Sequence, residues 1–322
     1  MMKAIKIDGD ALVWETCAGF EELPADSVEI DVVWTAVNRA DLSQRAGVYP
    51  PPPGASNILG LEVSGRIARV GEAVTTFKPG DDVCALLTGG GYATRVVVPA
   101  VQVLPVPKGF SLEKAAALPE VFATAWLNLY QEADLKPGER VLLHAAASGL
   151  GTTVIQIATA FGNPVFATAG DEEKLDVCRK LGATGTWNRK HGSFVEAVKK
   201  WGGVDMVLDP VGGSYIKENQ KVLSADGRIN LIGLMGGRFA EVDLGLMLMK
   251  RHRLIGSTLR SRSVEDKGRV MQALYRNVWP LLVAGQIEPL IDSIWPIERV
   301  EDAMAHVAAN RNTGKVLLNI GE

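Results

Sequence analysis

The chain has 322 residues, of which 47% are hydrophobic and 22% are charged. At roughly 150 residues per domain, this length predicts about two domains, each able to bury a core. The net charge is −3 and no run of Lys and Arg is present, which argues against a surface built for nucleic acid or an anionic membrane.

Three cysteines, Cys17, Cys84 and Cys178, lie far apart and form no CxxC pair. This usage is typical of a reducing compartment and argues against a disulfide framework or a zinc knuckle. Each cysteine is therefore expected to be a small buried side chain. The N-terminus lacks a secretory signal pattern, and no apolar run approaches the roughly 20 residues of a membrane span. We expect a cytoplasmic protein without a membrane partner.

Residues 1–118 have the pattern of a small β-domain. Strands are predicted at residues 1–10, 28–34, 65–71 and 92–99, and a Pro-Gly turn at 77–83 leads into a further strand. Many short strands punctuated by Gly and Pro predict a compact, barrel-like unit.

Residues 119–266 alternate between apolar strands and helices. The predicted strands are 140–144, 165–168, 205–209 and 227–233, and the predicted helices include 151–161 and 172–181. This alternation predicts an α/β domain with a doubly wound parallel sheet, as in a Rossmann fold. Residues 267–322 end in a strand at 314–320, which we expect to rejoin the first domain and make it discontinuous.

A degenerate phosphate-binding loop follows the first of these strands. In the segment AAASGLG (residues 145–151), Ala146 and Ser148 stand at the first two Gly positions of G-x-G-x-x-G, and Gly149 and Gly151 remain. Its position between a strand and a helix favours a dinucleotide site, because the helix N-terminus presents free N–H groups to a pyrophosphate. A tight turn that serves packing alone is the alternative.

The second strand of this domain ends at Gly170, where an acidic residue would bind the ribose 2′-hydroxyl of NAD. Lys174 and Arg189 can instead supply the cations that the 2′-phosphate of NADP requires. Asp171 argues the other way, since it can accept from a hydroxyl and would repel a phosphate. We therefore expect NADPH ahead of NADH.

Two further glycine-rich segments, DPVGG (209–213) and GLMGG (233–237), follow later strands. Ligands of open α/β sheets bind at the carboxyl ends of strands, where glycine lets the backbone approach them closely. Plain turns would explain either segment alone, but three such loops in order favour a bound cofactor.

Longer motifs carry a family resemblance. NRADLSQRAGVYP (38–50), GLEVSG (60–65), the loop at 146–151, GLMGG (233–237) and LRSR (259–262) resemble the medium-chain dehydrogenase/reductase superfamily. Within it the chain resembles the zinc-free quinone oxidoreductases, in particular the tumour-suppressor-inducible NADPH quinone oxidoreductase branch, over essentially its whole length.

The resemblance implies a GroES-like β-barrel catalytic domain (1–118 and 267–322), a Rossmann NADPH-binding domain (119–266) and a cleft between them. It implies hydride transfer from NADPH to quinones or related electron-poor carbonyl compounds. It also implies a homodimer or homotetramer, in which a late strand near residues 254–259 pairs with its partner's copy.

Zinc-dependent relatives carry Cys and His ligands where this chain has Asn38 and Leu61, while Glu120 lies at or near a further ligand position. Leu cannot bind zinc and Asn binds it poorly, so no metal is expected. Relatives often have Tyr at the position of Arg189 and Ser or Thr at that of Asp171, so cofactor preference is less fixed than reaction type.

Without zinc, the protein must orient the nicotinamide and exclude water. Asn38 is expected to bind the nicotinamide ribose or the acceptor oxygen, and Tyr49 to donate to a carbonyl that gains negative charge. A turn-stabilising Asn and an aromatic wall are the structural alternatives. The residues expected to contact the cofactor are Thr124, Ser148, Gly149, Leu150, Gly170, Lys174, Arg189, Gly233 and Met235.

Two other functional hypotheses stay open: an enzyme that reduces an enone or enoyl-thioester C=C bond, and a non-catalytic NADPH-binding redox sensor. His144 is interpreted as a satisfied, partly buried histidine. The arginines around residues 251–262 are interpreted as surface, interface or cofactor-edge charge and not as a nucleic-acid patch, because no aromatic residues are interleaved with them.

Overall fold

The structure, a computed structural model, describes residues 1–9 and 11–321. Asp10 and Glu322, which the sequence assigned to the first and last predicted segments, lie outside the described residues. The chain forms two compact units: unit 1 is Met1–Ala123 with Leu259–Glu322, and unit 2 is Thr124–Thr258. The sequence predicted domain boundaries at 118/119 and 266/267. In the structure the chain passes from unit 1 to unit 2 between Ala123 and Thr124, inside a helix, and returns between Thr258 and Leu259.

The first part of unit 1 consists of short strands separated by turns. Its elements are β1 (Met2–Asp8), β2 (Ala11–Cys17), β3 (Ser27–Val37), α1 (Arg39–Arg45), β4 (Glu62–Val70), β5 (Asp82–Leu86), β6 (Arg95–Pro99), a 3-10 turn (Ala100–Gln102), β7 (Val103–Pro105) and α2 (Leu112–Ala115). β1 and β2 form an antiparallel ribbon. β3 pairs antiparallel with both β4 and β6.

The core of unit 1 lies under β3. Val28, Ile30 and Val32 recur with the period of two that a strand requires and are at most 4% exposed. They pack with buried side chains of the neighbouring strands in one apolar cluster. Each such side chain stabilises the fold by about 1.5–3 kcal/mol through the apolar area it removes from water.

Unit 2 alternates strands and helices. Its elements are α3 (Pro119–Trp126, which begins in unit 1), a π-helical turn (Leu127–Glu132), β8 (Val141–Leu143), α4 (Gly149–Ala160), β9 (Val165–Ala169), α5 (Glu172–Lys180), β10 (Gly185–Asn188), a 3-10 turn (Arg189–His191), α6 (Val195–Trp201), β11 (Val204–Asp209), α7 (Ile216–Val222), β12 (Leu223–Leu231), α8 (Leu244–Lys250) and β13 (Arg253–Gly256).

The six strands of unit 2 form one sheet in the order β10-β9-β8-β11-β12-β13, and every neighbouring pair is parallel. In chain order this is 3-2-1-4-5-6, the doubly wound arrangement of dinucleotide-binding domains. The order reverses between β8 and β11. Ligands of such sheets bind outside the carboxyl ends of the strands at that reversal, so the loops that follow β8 and β11 are the place to look for a site.

The end of the chain returns to unit 1. Its elements are α9 (Val264–Asn277), α10 (Trp279–Val283), β14 (Ile291–Pro296), a 3-10 turn (Ile297–Arg299), α11 (Val300–Ala308) and β15 (Lys315–Asn319). β15 pairs antiparallel with β3, with Val316 opposite Val37, and parallel with β14. The mixed sheet of unit 1 therefore runs β14-β15-β3-β4-β5-β7, with β6 attached to β3.

Two sequence expectations concern buried side chains and membranes. Cys84 and Cys178 are buried, but Cys17 is only half-buried, because it lies in the two-stranded β1–β2 ribbon. The expectation of a buried side chain was therefore wrong for Cys17. Across the described part of the chain, none of the helices combines the length and the apolar composition that a membrane span requires.

Candidate functional site

The loop after β8 turns sharply into α4. Ala145 adopts a left-handed conformation with φ of 51°, uncommon for a residue with a side chain. Ser148 precedes the first residue of the 12-residue helix, and its hydroxyl accepts from the Gly151 backbone N–H at 3.1 Å. Predicted contacts Gly149 and Leu150 form the first turn. The helix starts two residues earlier than the predicted residue 151, since Ser148 caps it there.

Gly151 allows α4 to pack directly against the loop. A Cβ on Gly151 would lie 2.4 Å from the carbonyl oxygen of Ala146, closer than two such atoms can approach. The structure therefore requires glycine at this position. A helix N-terminus held this close to the end of β8 fits the pyrophosphate of a dinucleotide, because its N–H groups point out of the first turn towards an anion.

At the end of β9, Arg189 lies over Gly170. A Cβ on Gly170 would be 3.3 Å from Nη2 of Arg189, so glycine leaves room for the guanidinium. Asp171 caps α5, its carboxylate accepting from the Lys174 backbone N–H at 2.9 Å. Arg189 is exposed and belongs to none of the ion pairs of the described residues. The cationic guanidinium is thus available to an anion, while one oxygen of Asp171 is engaged by the helix.

The loops after β11 and β12 pack against each other. Gly236 donates its backbone N–H to the Val211 carbonyl at 2.7 Å, and a Cβ on Gly233 would lie 2.7 Å from the Pro210 carbonyl oxygen. Met235 is 47% exposed beside this contact. The two glycine segments identified in the sequence therefore form one surface at the carboxyl edge of the sheet.

A buried series of hydrogen bonds starts at His144, immediately after β8. One ring nitrogen lies 2.9 Å from the Thr168 hydroxyl and the other 2.8 Å from Oδ1 of Asn219. Asn219 in turn donates to Asp209, whose other oxygen accepts from the Val211 backbone N–H. Burial lowers the pKa of His144, so the ring stays neutral. Both ring nitrogens of His144 have hydrogen-bond partners, as predicted, but the side chain is fully buried at 1% exposure where the sequence predicted partial burial. The hydrogen bonds connect the ends of β8, β9 and β11.

Asn38 of unit 1 lies in a buried polar network. Its amide donates to Oε1 of Glu62 at 2.9 Å, and its oxygen accepts from Nζ of Lys315 at 2.7 Å. Lys315 also forms an ion pair with Glu62 at 2.6 Å, and Oε2 of Glu62 accepts from the Glu120 backbone N–H. Lys315 and Glu62 are 3% and 0% exposed. These contacts hold the Asn38 amide in one orientation.

Asp41 extends this network. Its carboxylate accepts from the backbone N–H groups of Asn38 and Gly60 at 2.8 and 3.0 Å and from the Tyr92 hydroxyl at 3.1 Å. Burial raises the pKa of Asp41 to about 6, against these donors, which lower it. Three donors fix the start of α1, which links Asn38 to the segment that carries Tyr49.

Tyr49 is half-buried next to Arg260. The Arg260 guanidinium carbon lies 5.5 Å from the centre of the Tyr49 ring, and Arg260 donates to the carbonyls of Thr88 and Tyr49 and to Oε1 of Gln44. Burial raises the pKa of Tyr49, and Arg260 opposes that shift. Within the described residues the Tyr49 hydroxyl has no hydrogen-bond partner, so it can donate to a ligand.

The structure brings most of the predicted residues together in groups within each unit. Ser148, Gly149 and Leu150 begin α4, while Gly170, Lys174 and Arg189 gather at the end of β9. Thr124 is half-buried in α3, where its carbonyl accepts from Asn128. Asn38 and Tyr49 lie at opposite ends of α1 and share no hydrogen bond. Both functions assigned to this pair remain predictions.

The buried charges of unit 1 were not predicted from the sequence. Arg260 was grouped with surface or cofactor-edge arginines, but it is 5% exposed, and Lys267 and Lys315 are 3% exposed. Arg251 and Arg253 of the same sequence cluster are exposed in unit 2. No local pattern distinguishes these side chains, because their burial results from segments far away along the chain.

Comparison with known proteins gives consistent matches. The family described as zinc-binding dehydrogenase matches residues 149–276, and the alcohol dehydrogenase GroES-like domain matches residues 24–108. Quinone oxidoreductase-like protein 2 of Bos taurus is 34% identical over 297 residues, covering 91% of this chain and 85% of that protein.

Solved structures match over the whole chain. A quinone oxidoreductase of Pseudomonas syringae pv. Tomato DC3000 has a TM-score of 0.88 at 26% identity, covering 99% of this chain and 100% of that one. The CurK enoyl reductase has a TM-score of 0.86 at 27% identity, covering 99% of each chain.

The first family description includes zinc, but the residues of this chain do not fit a catalytic zinc. Leu61 offers no donor atom, and the Asn38 oxygen already accepts from the Lys315 ammonium, which would repel a dication. Over residues 1–9 and 11–321, no three His, Cys, Asp or Glu side chains are grouped so that they would hold a metal ion.

Proposed function

The chain belongs to the quinone oxidoreductase family of the medium-chain dehydrogenase/reductase superfamily, and from this premise we propose that it reduces quinones or related electron-poor carbonyl compounds with NADPH, without zinc. Membership makes the chain an oxidoreductase and implies a nicotinamide dinucleotide as cofactor. The preference for NADPH and the quinone acceptor are the proposed parts.

The observation that carries the proposal is the set of loops at the carboxyl edge of the unit 2 sheet. Gly151 lets the start of α4 approach the end of β8, as a pyrophosphate site requires, and the glycine segments after β11 and β12 lie along the same edge. Arg189 over Gly170 supports NADPH, since an exposed guanidinium can bind the 2′-phosphate by paired hydrogen bonds.

The cofactor supplies the hydride, and the acceptor must also gain a proton or a hydrogen bond as its oxygen becomes negative. Tyr49 is suited to that second task, because its hydroxyl is free within the described residues and its raised pKa keeps it protonated. Asn38, whose amide is held by Glu62 and Lys315, is proposed to bind the nicotinamide ribose or the acceptor oxygen. We also propose that the reaction occurs in the cytoplasm, consistent with three unpaired cysteines.

A second candidate function is reduction of a C=C bond in an enone or enoyl thioester. Its support is the likeness to the CurK enoyl reductase over 99% of both chains. The same hydride donor serves both reactions, so the shape of the acceptor pocket decides between them.

The test is to follow the oxidation of NADPH and then NADH by the purified chain, with an ortho-quinone beside a simple enone. Rapid loss of NADPH only with the quinone is the expected result. Turnover of the enone alone would contradict quinone reduction and support C=C reduction as the function. Tight NADPH binding without turnover of either would reject both enzyme functions in favour of a sensor.

A further inference from the structure

We propose that Arg260 and Lys267 form a binding site for the anionic group of an aromatic acceptor, such as a carboxylate or sulfonate. The inference rests on the proposed function, because it names a substrate class for the same reductase. Both cations contact Thr88: Nε of Arg260 donates to its carbonyl at 2.8 Å, and Nζ of Lys267 donates to its hydroxyl at 2.7 Å.

Among the described residues no carboxylate forms an ion pair with either cation; the Asp41 carboxylate acts on Arg260 electrostatically, without a direct hydrogen bond. The partners of Arg260 are two carbonyls and the Gln44 amide oxygen, and the partner of Lys267 is a hydroxyl. Among the ion pairs of the described residues, none includes either cation. A buried charge without a counter-charge in contact with it is unfavourable, so a site of this kind favours an anionic ligand.

The other buried cations of the described residues each have a carboxylate partner, which Arg260 and Lys267 lack. Four Lys and Arg side chains of the described residues are buried: Arg228, Arg260, Lys267 and Lys315. Arg228 pairs with Glu139 at 2.5 Å and Lys315 with Glu62 at 2.6 Å. Arg260 and Lys267 are equally buried and are held by neutral acceptors only. This difference within one chain points to a counter-ion that arrives with a ligand.

The surroundings match an aromatic ligand. The Tyr49 ring lies 5.5 Å from the Arg260 guanidinium, and the neighbouring Gly89 presents no side chain. Tyr49, Thr88 and Gly89 are only half-buried, and the inference requires that a small molecule reach the cations past these three residues. Burial and the neighbouring Arg260 lower the pKa of Lys267 to about 8, and a bound anion would raise it again.

The experiment compares naphthoate with naphthamide, which have the same ring and differ in charge, by titration calorimetry without any cofactor. We expect naphthoate to bind at least about tenfold more tightly at neutral pH, by charge-assisted hydrogen bonds. Lys267→Gln should remove most of that difference and leave naphthamide binding unchanged. Lys267→Arg should retain it, and Lys108→Gln, at an exposed lysine of the same unit, should have no effect.

A pH series keeps the test decisive if Lys267→Gln fails to fold. Naphthoate affinity of the unsubstituted chain should fall as the pH rises past the pKa of Lys267, and naphthamide affinity should not. Equal affinity for the two ligands, or a Lys267→Gln variant that weakens both alike, would overturn the inference and leave the two cations a purely structural role.

Turnover separates this inference from the proposed function. With NADPH, the sulfonate of ortho-naphthoquinone should have a lower KM than ortho-naphthoquinone itself. Loss of turnover with both quinones would reject the proposed function while the naphthoate titration still decides on the anion site. Turnover of both quinones with equal KM and equal ligand affinities would reject only the anion site.

Discussion

At the scale of single residues, cofactor choice depends on Arg189 and Asp171. A neutral Gly170 beneath an exposed guanidinium suits a phosphate, whereas Asp171 uses one oxygen to cap α5. Because the Asp171 carboxylate is engaged by the helix, its negative charge argues only weakly against the binding of NADPH.

Arg189→Gln should weaken NADPH binding by about tenfold or more, the value of one charge-assisted interaction, and leave NADH binding within about twofold. Fluorescence titration of both nucleotides measures this. Lys190→Gln, at the exposed neighbouring lysine, is the control. A variant that loses NADPH and NADH affinity equally would show that Arg189 does not contact a 2′-phosphate.

The buried Lys315–Glu62 ion pair contributes to stability at the scale of single residues. Lys315→Met leaves a buried carboxylate without its cation and should lower the free energy of unfolding by about 3–5 kcal/mol. Adding Glu62→Gln removes the buried negative charge. The side-chain amide of Asn38 can then rotate so that its oxygen accepts a hydrogen bond from the amide N–H introduced by Glu62→Gln. The double variant should therefore recover at least about 1 kcal/mol in urea unfolding. A strictly additive pair of losses would contradict this coupling.

At the scale of elements, the junction of β8 and α4 determines whether a dinucleotide can bind. The helix is held by the Ser148 cap and by glycine where a Cβ would strike Ala146. The sequence predicted the junction from its pattern, although two of the usual glycines are replaced.

Gly151→Ala should displace α4 from the loop, weaken NADPH binding by at least about tenfold and cost about 1–3 kcal/mol of stability, as overpacking does. Gly245→Ala in α8 is the matched control, because its nearest contact would be an ordinary 3.4 Å. Nucleotide titration and thermal unfolding measure both effects. Unchanged binding in Gly151→Ala would remove α4 from the cofactor site.

At the scale of the whole molecule, unit 2 exposes an apolar surface next to a strand with one free edge. Leu248 and Met249 of α8 are 79% and 83% exposed, and Leu254 of β13 is 45% exposed. Within the described residues β13 pairs only with β12. Exposed apolar patches and free strand edges mark association surfaces, and of the homodimer and homotetramer that the resemblance implies we propose the homodimer.

Light scattering should therefore give about twice the chain mass of 34.5 kDa. Leu248→Glu should shift the protein towards the monomer, since a charge on this surface opposes its burial. Val13→Glu, which places the same charge on an exposed apolar side chain of unit 1, should leave the mass unchanged. A monomeric unsubstituted chain would contradict the proposed homodimer.

The sequence alone determined the two kinds of domain and the loops at the cofactor site. Periods of two and the alternation of strands with helices are local properties, and a glycine at a strand end has the same steric meaning wherever the chain goes. The parallel pairing of the six strands of unit 2 follows from that alternation, because each crossover helix forces the next strand into the same direction, whereas their order became known only from the tertiary structure.

Only the tertiary structure decided which charges are buried and what they contact. Lys315 meets Asn38 and Glu62, and Arg260 meets Gln44 and Thr88, across separations of roughly 170–280 residues. No local pattern records such contacts, since a buried lysine is chemically the same residue as an exposed one. Its function depends on the groups that the fold places around it, and these partners come from the residue between β3 and α1, from β4, from α1 and from the turn after β5.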